Sequence, residues 1–281
     1  MNRPQIKRNH PANAFTLIEL LVVISVIAML LAILTPSLTR AKESGRRVTC
    51  KANMHNLTLA WLAYASENKD RLCSPNTNWN GLQPWDDTVS ATSHNWVSDG
   101  PGLGINDFCN TEFAITTGVL WPYLESLDVY RCNSESTESP RSYAISKTMG
   151  GDSNEDFKRT TQISTPSQKM VFIDFDPPVR DSGGQVTNVA DKACSDPIDI
   201  PKQQWKACPC GGGNVWSHST RHNDGSNVSF ADGHIDYWRW KDERTVLLID
   251  GLIGSEEEIL QASIDNDDIP RWIPALRGRH E

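Results

Sequence analysis

From Phe15 to Leu34 the chain reads FTLIELLVVISVIAMLLAIL, a run of 20 almost wholly apolar residues. As a helix this run is about 30 Å long, the thickness of a bilayer core. The rest of the chain is ordinary soluble protein: over all 281 residues the hydrophobic content is 38%. The run therefore predicts one membrane helix, residues 15–35, joined to a water-soluble body. Residues 1–14 carry Arg3, Lys7 and Arg8 and no acid. Basic residues ahead of the span predict that this leader stays cytoplasmic and that the body lies outside the inner membrane. An ordinary secretory signal would end in small residues suited to cleavage. This run ends in LTPSLTRAKE, which has no such site.

One residue does not suit the bilayer. Glu19 sits near the start of the run, and a carboxylate at the membrane centre costs about 2.5–3.5 kcal/mol, less near the end. Such a group normally has a partner. A cut before Phe15 would create one, because it leaves a positive α-amino group.

These residues resemble a known family. A basic leader, a small residue, then F-T-L-I-E and an apolar helix is similar to the signal of type IV prepilins and type II secretion pseudopilins. The resemblance implies that prepilin peptidase cuts between Ala14 and Phe15 and that Phe15 is N-methylated. It implies that Glu19 guides assembly with other pilin-like subunits on an inner-membrane platform. The family usually has Gly at the position of Ala14; alanine is also small, which implies slower processing at most. Pro36 follows the run, and the family's long helix often bends there.

The helical pattern continues. Leu38, Ala41, Gly45, Val48, Ala52, Leu59 and Leu62 recur every three or four residues with His55 in the same row, and Met54, Leu57, Trp61 and Tyr64 form a second row. Both predict an amphipathic helix over 36–68 whose apolar stripe is covered by the head. With the membrane part it would make a rod of about 80 Å.

The head, 69–281, starts with a stretch rich in Asn, Asp, Ser, Gly and Trp and without period. Ser142–Lys147 and Lys169–Phe175 read as strands. In NVSFADGHIDYWRW, Asp232-Gly233 is a favoured two-residue hairpin turn. Pairing about it sets Phe230 opposite Ile235 and Val228 opposite Tyr237 on one face, with Ser229 and Asp236 on the other. Ser255 and Glu258 suggest a capping box for a late helix. The fold class expected is α+β: a long N-terminal helix packed on an antiparallel sheet with long loops.

Nine residues separate His222 from Asp232. This H-x9-D-G spacing, His222, Asp232 and Gly233 within RHNDGSNVSFADGH, resembles the C-terminal signature of a pilin-like family common in planctomycetes and labelled as prepilin-type processing-associated. No chemistry follows from that label.

His222, Asp224, Asp232 and His234, with Asp174 and Asp176, have ligand types suited to zinc or calcium. They lack regular ligand spacing, and Asp232 is already explained by the turn, so neither metal nor cofactor is expected. The seven cysteines are spread along the chain, which suits disulfides better than one metal cluster. Cys208-Pro-Cys210 lacks a second pair of zinc spacing; a disulfide with Cys194 or another loop cysteine is the competing reading. Cys50 and Cys132 are one candidate pair, joining helix to head, but sequence does not fix connectivity. The net charge of -8 gives no nucleic-acid footprint. No G-x-S-x-G or comparable nucleophile setting is present, so an enzyme is not expected. The expectation is a filament subunit of a type IV pilus or type II secretion pseudopilus. The alternative is a membrane-tethered binding protein whose head, with ten tryptophans, takes a glycan or other partner without polymerising.

Overall fold

The computed structural model describes residues 16–75, 95–97, 112–135, 139–146, 148–150, 156–174, 198–199, 204–205, 219–249 and 261–271. The chain divides into two compact units, one ending at Lys42 and one beginning at Glu43. The first helix, α1, spans Leu17–Glu67 and runs through Pro36. Hydroxyls next to the proline donate back into the helix, Thr35 Oγ1 to Leu31 O at 2.7 Å and Ser37 Oγ to Leu34 O at 2.8 Å. Every side chain from Leu17 to Leu34 is exposed. Among the described residues α1 is the one helix long and apolar enough to cross a membrane.

In the second unit α1 packs by one row only. Cys50, Met54, Leu57, Trp61 and Tyr64 are buried, in one core with Phe172 and Ile235. The other row is not covered: Val48 is 63% and Leu59 47% exposed, and Gly45, Ala52 and His55 are also exposed. The two rows were expected to form one stripe under the head. At 100° per residue, however, Leu57 and Leu59 point about 160° apart, so a single sheet cannot cover both.

The sheet has four antiparallel strands in the order β1-β2-β5-β6: β1 Tyr143–Ile145, β2 Met170–Asp174, β5 Gly225–Phe230 and β6 Ile235–Arg239. The first two fall where the sequence predicts strands. Two short strands, β3 Ile198–Asp199 and β4 Gln204–Trp205, pair separately. Residues of β5 are buried throughout, so the sheet is covered on both faces. Its second face holds Met170, Ile173, Val228, Phe230 and Trp238 against Leu248, which belongs to a helix at Glu243–Ile249. The α+β class is confirmed. The Ser255–Glu258 capping box lies outside the described residues.

The hairpin corrects the predicted register. Ser229 pairs with Ile235, Val228 with Asp236 and Asn227 with Tyr237. Phe230 N donates to His234 O at 3.0 Å, so the loop is Ala231-Asp232-Gly233, one residue longer than a two-residue turn. Gly233 N donates to Phe230 O at 2.9 Å and Gly233 has φ +94°. This is a type I turn closed by a left-handed residue, a position that favours glycine. The extra residue shifts the pairing by one, which moves Ile235 and Tyr237 to the face opposite Val228 and Phe230.

The two rows of α1 should respond differently to truncation. Trp61→Ala should cost about 3–5 kcal/mol, and Leu59→Ala should stay within about 0.5 kcal/mol. Denaturant unfolding of the full chain in detergent micelles, followed by circular dichroism, checks this; equal costs would contradict the one-sided packing.

Candidate functional site

The N-terminal site opens at Thr16, so Ala14 and Phe15 lie outside the described residues. Glu19 Oε2 accepts from Thr16 N at 2.9 Å and Thr16 Oγ1 at 2.6 Å, and Thr16 Oγ1 accepts from Glu19 N at 3.3 Å. This is a reciprocal capping box at the start of α1. Glu19 thus has a local partner within its own chain. The spacing T-x-x-E in the sequence is its signal.

The second site surrounds His222, whose side chain is fully buried. A tight turn carries it. Asn223 and Asp224 follow with φ 58° and 59°, Asp224 N donates to Thr220 O at 3.1 Å, and Trp240 N donates to Asp224 O at 2.8 Å. Tyr237 Oη donates to His222 O at 2.5 Å and Asn223 O at 3.1 Å, and the guanidinium of Arg47 lies 4.4 Å from the Tyr237 ring centre. Gly225 leaves room for this clamp: a Cβ there would sit 2.4 Å from Trp238 O and 2.7 Å from Tyr237 Oη.

Three parts of the fold meet at the imidazole. From α1, Glu43 Oε1 lies 2.9 Å from His222 Nδ1 and also accepts from Ser134 Oγ at 2.7 Å. From the end of β2, Asp174 Oδ2 lies 3.5 Å from His222 Nε2. From the loop after the 3-10 turn at Leu127–Tyr130, Cys132 Sγ lies 3.3 Å from the same nitrogen. Cys132 is disulfide-bonded to Cys50 of α1 across a sequence separation of 82, so the helix-to-head pair proposed from sequence is present. Asn133 N donates to Cys50 Sγ at 3.2 Å and Ser134 N to Cys132 Sγ at 3.4 Å. Arg221 pairs with Glu135 beside the site.

A carboxylate only accepts, so Glu43 fixes the Nδ1 proton on His222. Asp174 accepts from Asn227 N at 2.9 Å and Asn227 Nδ2 at 3.0 Å, both at Oδ2. Its Oδ1 has no hydrogen-bond partner among the described residues. Burial pushes the Asp174 carboxyl above its ordinary range, against the pull of His222, Arg221 and Asn227. The arrangement is a buried polar lock that fastens α1 to the sheet beside a covalent staple.

The H-x9-D-G residues do not share this site. Six residues of β5 separate His222 from the turn, about 20 Å of extended chain. Asp232 Oδ1 accepts from His234 N at 3.1 Å and lies 2.5 Å from His234 Nδ1. A Cβ on Gly233 would lie 3.8 Å from Leu62 Cδ1 of α1. Of the metal-ligand types singled out in the sequence, the structure brings together His222 and Asp174. Asp232 and His234 form a separate pair, and Asp176, Cys194, Cys208 and Cys210 lie outside the described residues. Glu43 was not legible as a site residue, although Glu43, Arg47 and Cys50 continue the buried row at four- and three-residue steps.

Among family models, one described as the prokaryotic N-terminal methylation motif matches residues 9–35. No curated protein and no solved structure matches the chain. The motif match is a prepilin-type signal at the very segment where α1 begins, and it supports a type IV pilin-like or pseudopilin-like precursor anchored by one membrane helix.

If the two halves of the H-x9-D-G pattern do separate jobs, their truncations should differ. His222→Ala leaves Glu43 and Asp174 without the imidazole and should cost about 3–5 kcal/mol. Asp232→Ala removes turn hydrogen bonds and should cost about 1 kcal/mol. Urea unfolding of the full chain in detergent measures both; comparable losses would point to one shared site.

Proposed function

We propose that this protein is a filament subunit of the type IV pilus or type II secretion pseudopilus kind. The observation that carries the reading is the methylation signal over residues 9–35 leading directly into α1. In this reading prepilin peptidase removes residues 1–14 by cutting between Ala14 and Phe15, and Phe15 is N-methylated. Residues 15–35 span the inner membrane, 36–68 continue the same helix, and the head from 69 onward is extracytoplasmic. Other pilin-like subunits, identical or different, and an inner-membrane assembly platform are the partners. The H-x9-D-G resemblance of His222, Asp232 and Gly233 fits the same assignment. The role is structural rather than catalytic.

Packing supports the reading. Side chains from Leu17 to Leu34 are exposed, and Val48, Ala52 and Leu59 continue an uncovered apolar row. Membrane covers the first set; neighbouring helices in a filament cover the second. Glu19 bears two roles here, the cap on its own helix and a charge for the Phe15 amine of a neighbour.

Two variants separate those roles. Gln also serves in a capping box, so Glu19→Gln keeps the cap and removes the charge, whereas Glu19→Ala removes both. Each should lower incorporation into filaments about tenfold or more, since one lost contact of about 1.4 kcal/mol is a factor of ten. Normal incorporation of Glu19→Gln would reduce Glu19 to a helix cap. Mass analysis of the mature protein should find N-methyl-Phe15 at the N-terminus, and an intact Met1 or a start near residue 40 would overturn the assignment.

A further inference from the structure

We propose that the dithiol form of this protein binds one zinc ion between Cys50 Sγ, Cys132 Sγ, His222 Nε2 and the Asp174 carboxylate. The two sulfurs and a ring nitrogen of His222 lie within 4.8 Å of one another, and all three residues are buried. Tetrahedral zinc has bonds of about 2.0–2.3 Å to nitrogen, oxygen and sulfur, which sets neighbouring ligand atoms about 3.3–3.8 Å apart. His222 Nε2 lies 3.3 Å from Cys132 Sγ, one edge of such a tetrahedron, and 3.5 Å from the Asp174 carboxylate. The sulfurs share a bond in the disulfide form; as thiols they separate by side-chain rotation.

Three features around these atoms are those of a metal site. Glu43 accepts a hydrogen bond from Nδ1–H of His222, which leaves the Nε2 lone pair facing the sulfurs and Asp174. A histidine ligand oriented through its other nitrogen by a carboxylate is the usual supporting arrangement for zinc. Asn133 N and Ser134 N, successive amides, each point at one sulfur. A hydrogen bond donated to the sulfur favours the thiolate over the thiol. Asp174 is fully buried with Oδ1 unpartnered among the described residues and Oδ2 held by Asn227. Two thiolates and an imidazole select zinc over the oxygen-bound calcium.

The chemistry balances simply. A divalent ion binding to the dithiol displaces one proton from each thiol and takes a lone pair from His222 and from the Asp174 carboxylate. The disulfide form offers no thiolate. Converting it requires a two-electron reductant: a dithiol supplies two electrons and two protons and leaves as its own disulfide, and a phosphine with water supplies the same and leaves as the phosphine oxide. The same two sulfurs therefore hold either a bond to each other or a metal, and both states fasten α1 to the head at the same point.

The test uses the full chain in detergent, reduced with a phosphine or left as the disulfide, then exposed to zinc and freed of excess. Mass spectrometry of bound metal should give one zinc per reduced chain that depends on Cys50 and Cys132, and none at this site in the disulfide form. Cobalt in place of zinc should show tetrahedral visible bands together with a thiolate charge-transfer band. Cys132→Ser and His222→Gln should abolish the signal, and Glu43→Gln should weaken zinc binding about 10–100-fold. Zinc should raise the melting temperature of the reduced wild-type chain alone, which reads the site without any variant that fails to fold. Three results would overturn the proposal: no zinc on the reduced chain, a cobalt spectrum without thiolate character, or binding that survives Cys50→Ser/Cys132→Ser and so belongs to other cysteines.

Discussion

Glu43 and His222 stand 179 residues apart in sequence and meet at 2.9 Å. The order of the head depends on that meeting. On one side of it lies the helix; on the other lie the turn that starts β5, the end of β2 and the loop carrying Cys132. A buried imidazole cannot be left between carboxylates of unmatched position without a large penalty, so each of these segments is constrained by the same ring. The neighbouring disulfide acts through the unfolded chain. Closing 82 residues removes conformational freedom that would otherwise oppose folding by roughly 4–5 kcal/mol on the chain-entropy account. The staple and the polar lock sit together, so the apolar row from Met54 to Tyr64 is held in register from one end.

Features set by composition and length were legible in the sequence. The apolar run from Phe15, the continuation of the helix to about Asn68 and the strands around Tyr143 and Met170 all have local signals, whereas the pairing of Cys50 with Cys132 was one candidate among seven cysteines and only the fold fixes it. Features that depend on angle and on count were harder. Two rows on α1 each obey helical spacing, and spacing alone does not say how far apart they point. The hairpin failed by one residue: Asp232-Gly233 does make the turn, but Ala231 joins it, and a period of two turns that single residue into a reversal of faces. The site around His222 was half visible. Asp174 and His222 were recognised as ligand types, whereas Glu43 reads in sequence as one more charge on a solvated helix. Only the fold shows that its position meets His222.

The cap at Thr16 changes what Glu19 means. A charged residue in an apolar run invites a search for a distant opposite charge, yet two donors three residues away already satisfy much of the carboxylate. This is why removing Glu19 outright is a poor probe of assembly: it would loosen the first turn of the helix and the subunit contact together. A charge-specific role has to be read from the amide variant, which preserves the local bonds.

The rows on α1 carry the structural logic of the molecule further. Glu43, Arg47, Cys50, Met54, Leu57, Trp61 and Tyr64 repeat in steps of four and three, and so, out of phase, do Val48, Ala52, His55, Leu59 and Leu62. Repeats of this kind are what helices use to pack lengthwise against a partner. The first seam is taken by the head, with its polar end locked and its apolar end in the core. The second, about 160° away on the opposite side, is left uncovered apart from the half-buried Leu62. A helix that served only to complete its own domain would have no use for a second apolar seam in water, where each exposed aliphatic side chain forgoes about 1.5–3 kcal/mol of burial. Under the proposed assembly the asymmetry has a purpose: the side fixed to the head never has to move, and the side facing away remains available to another copy.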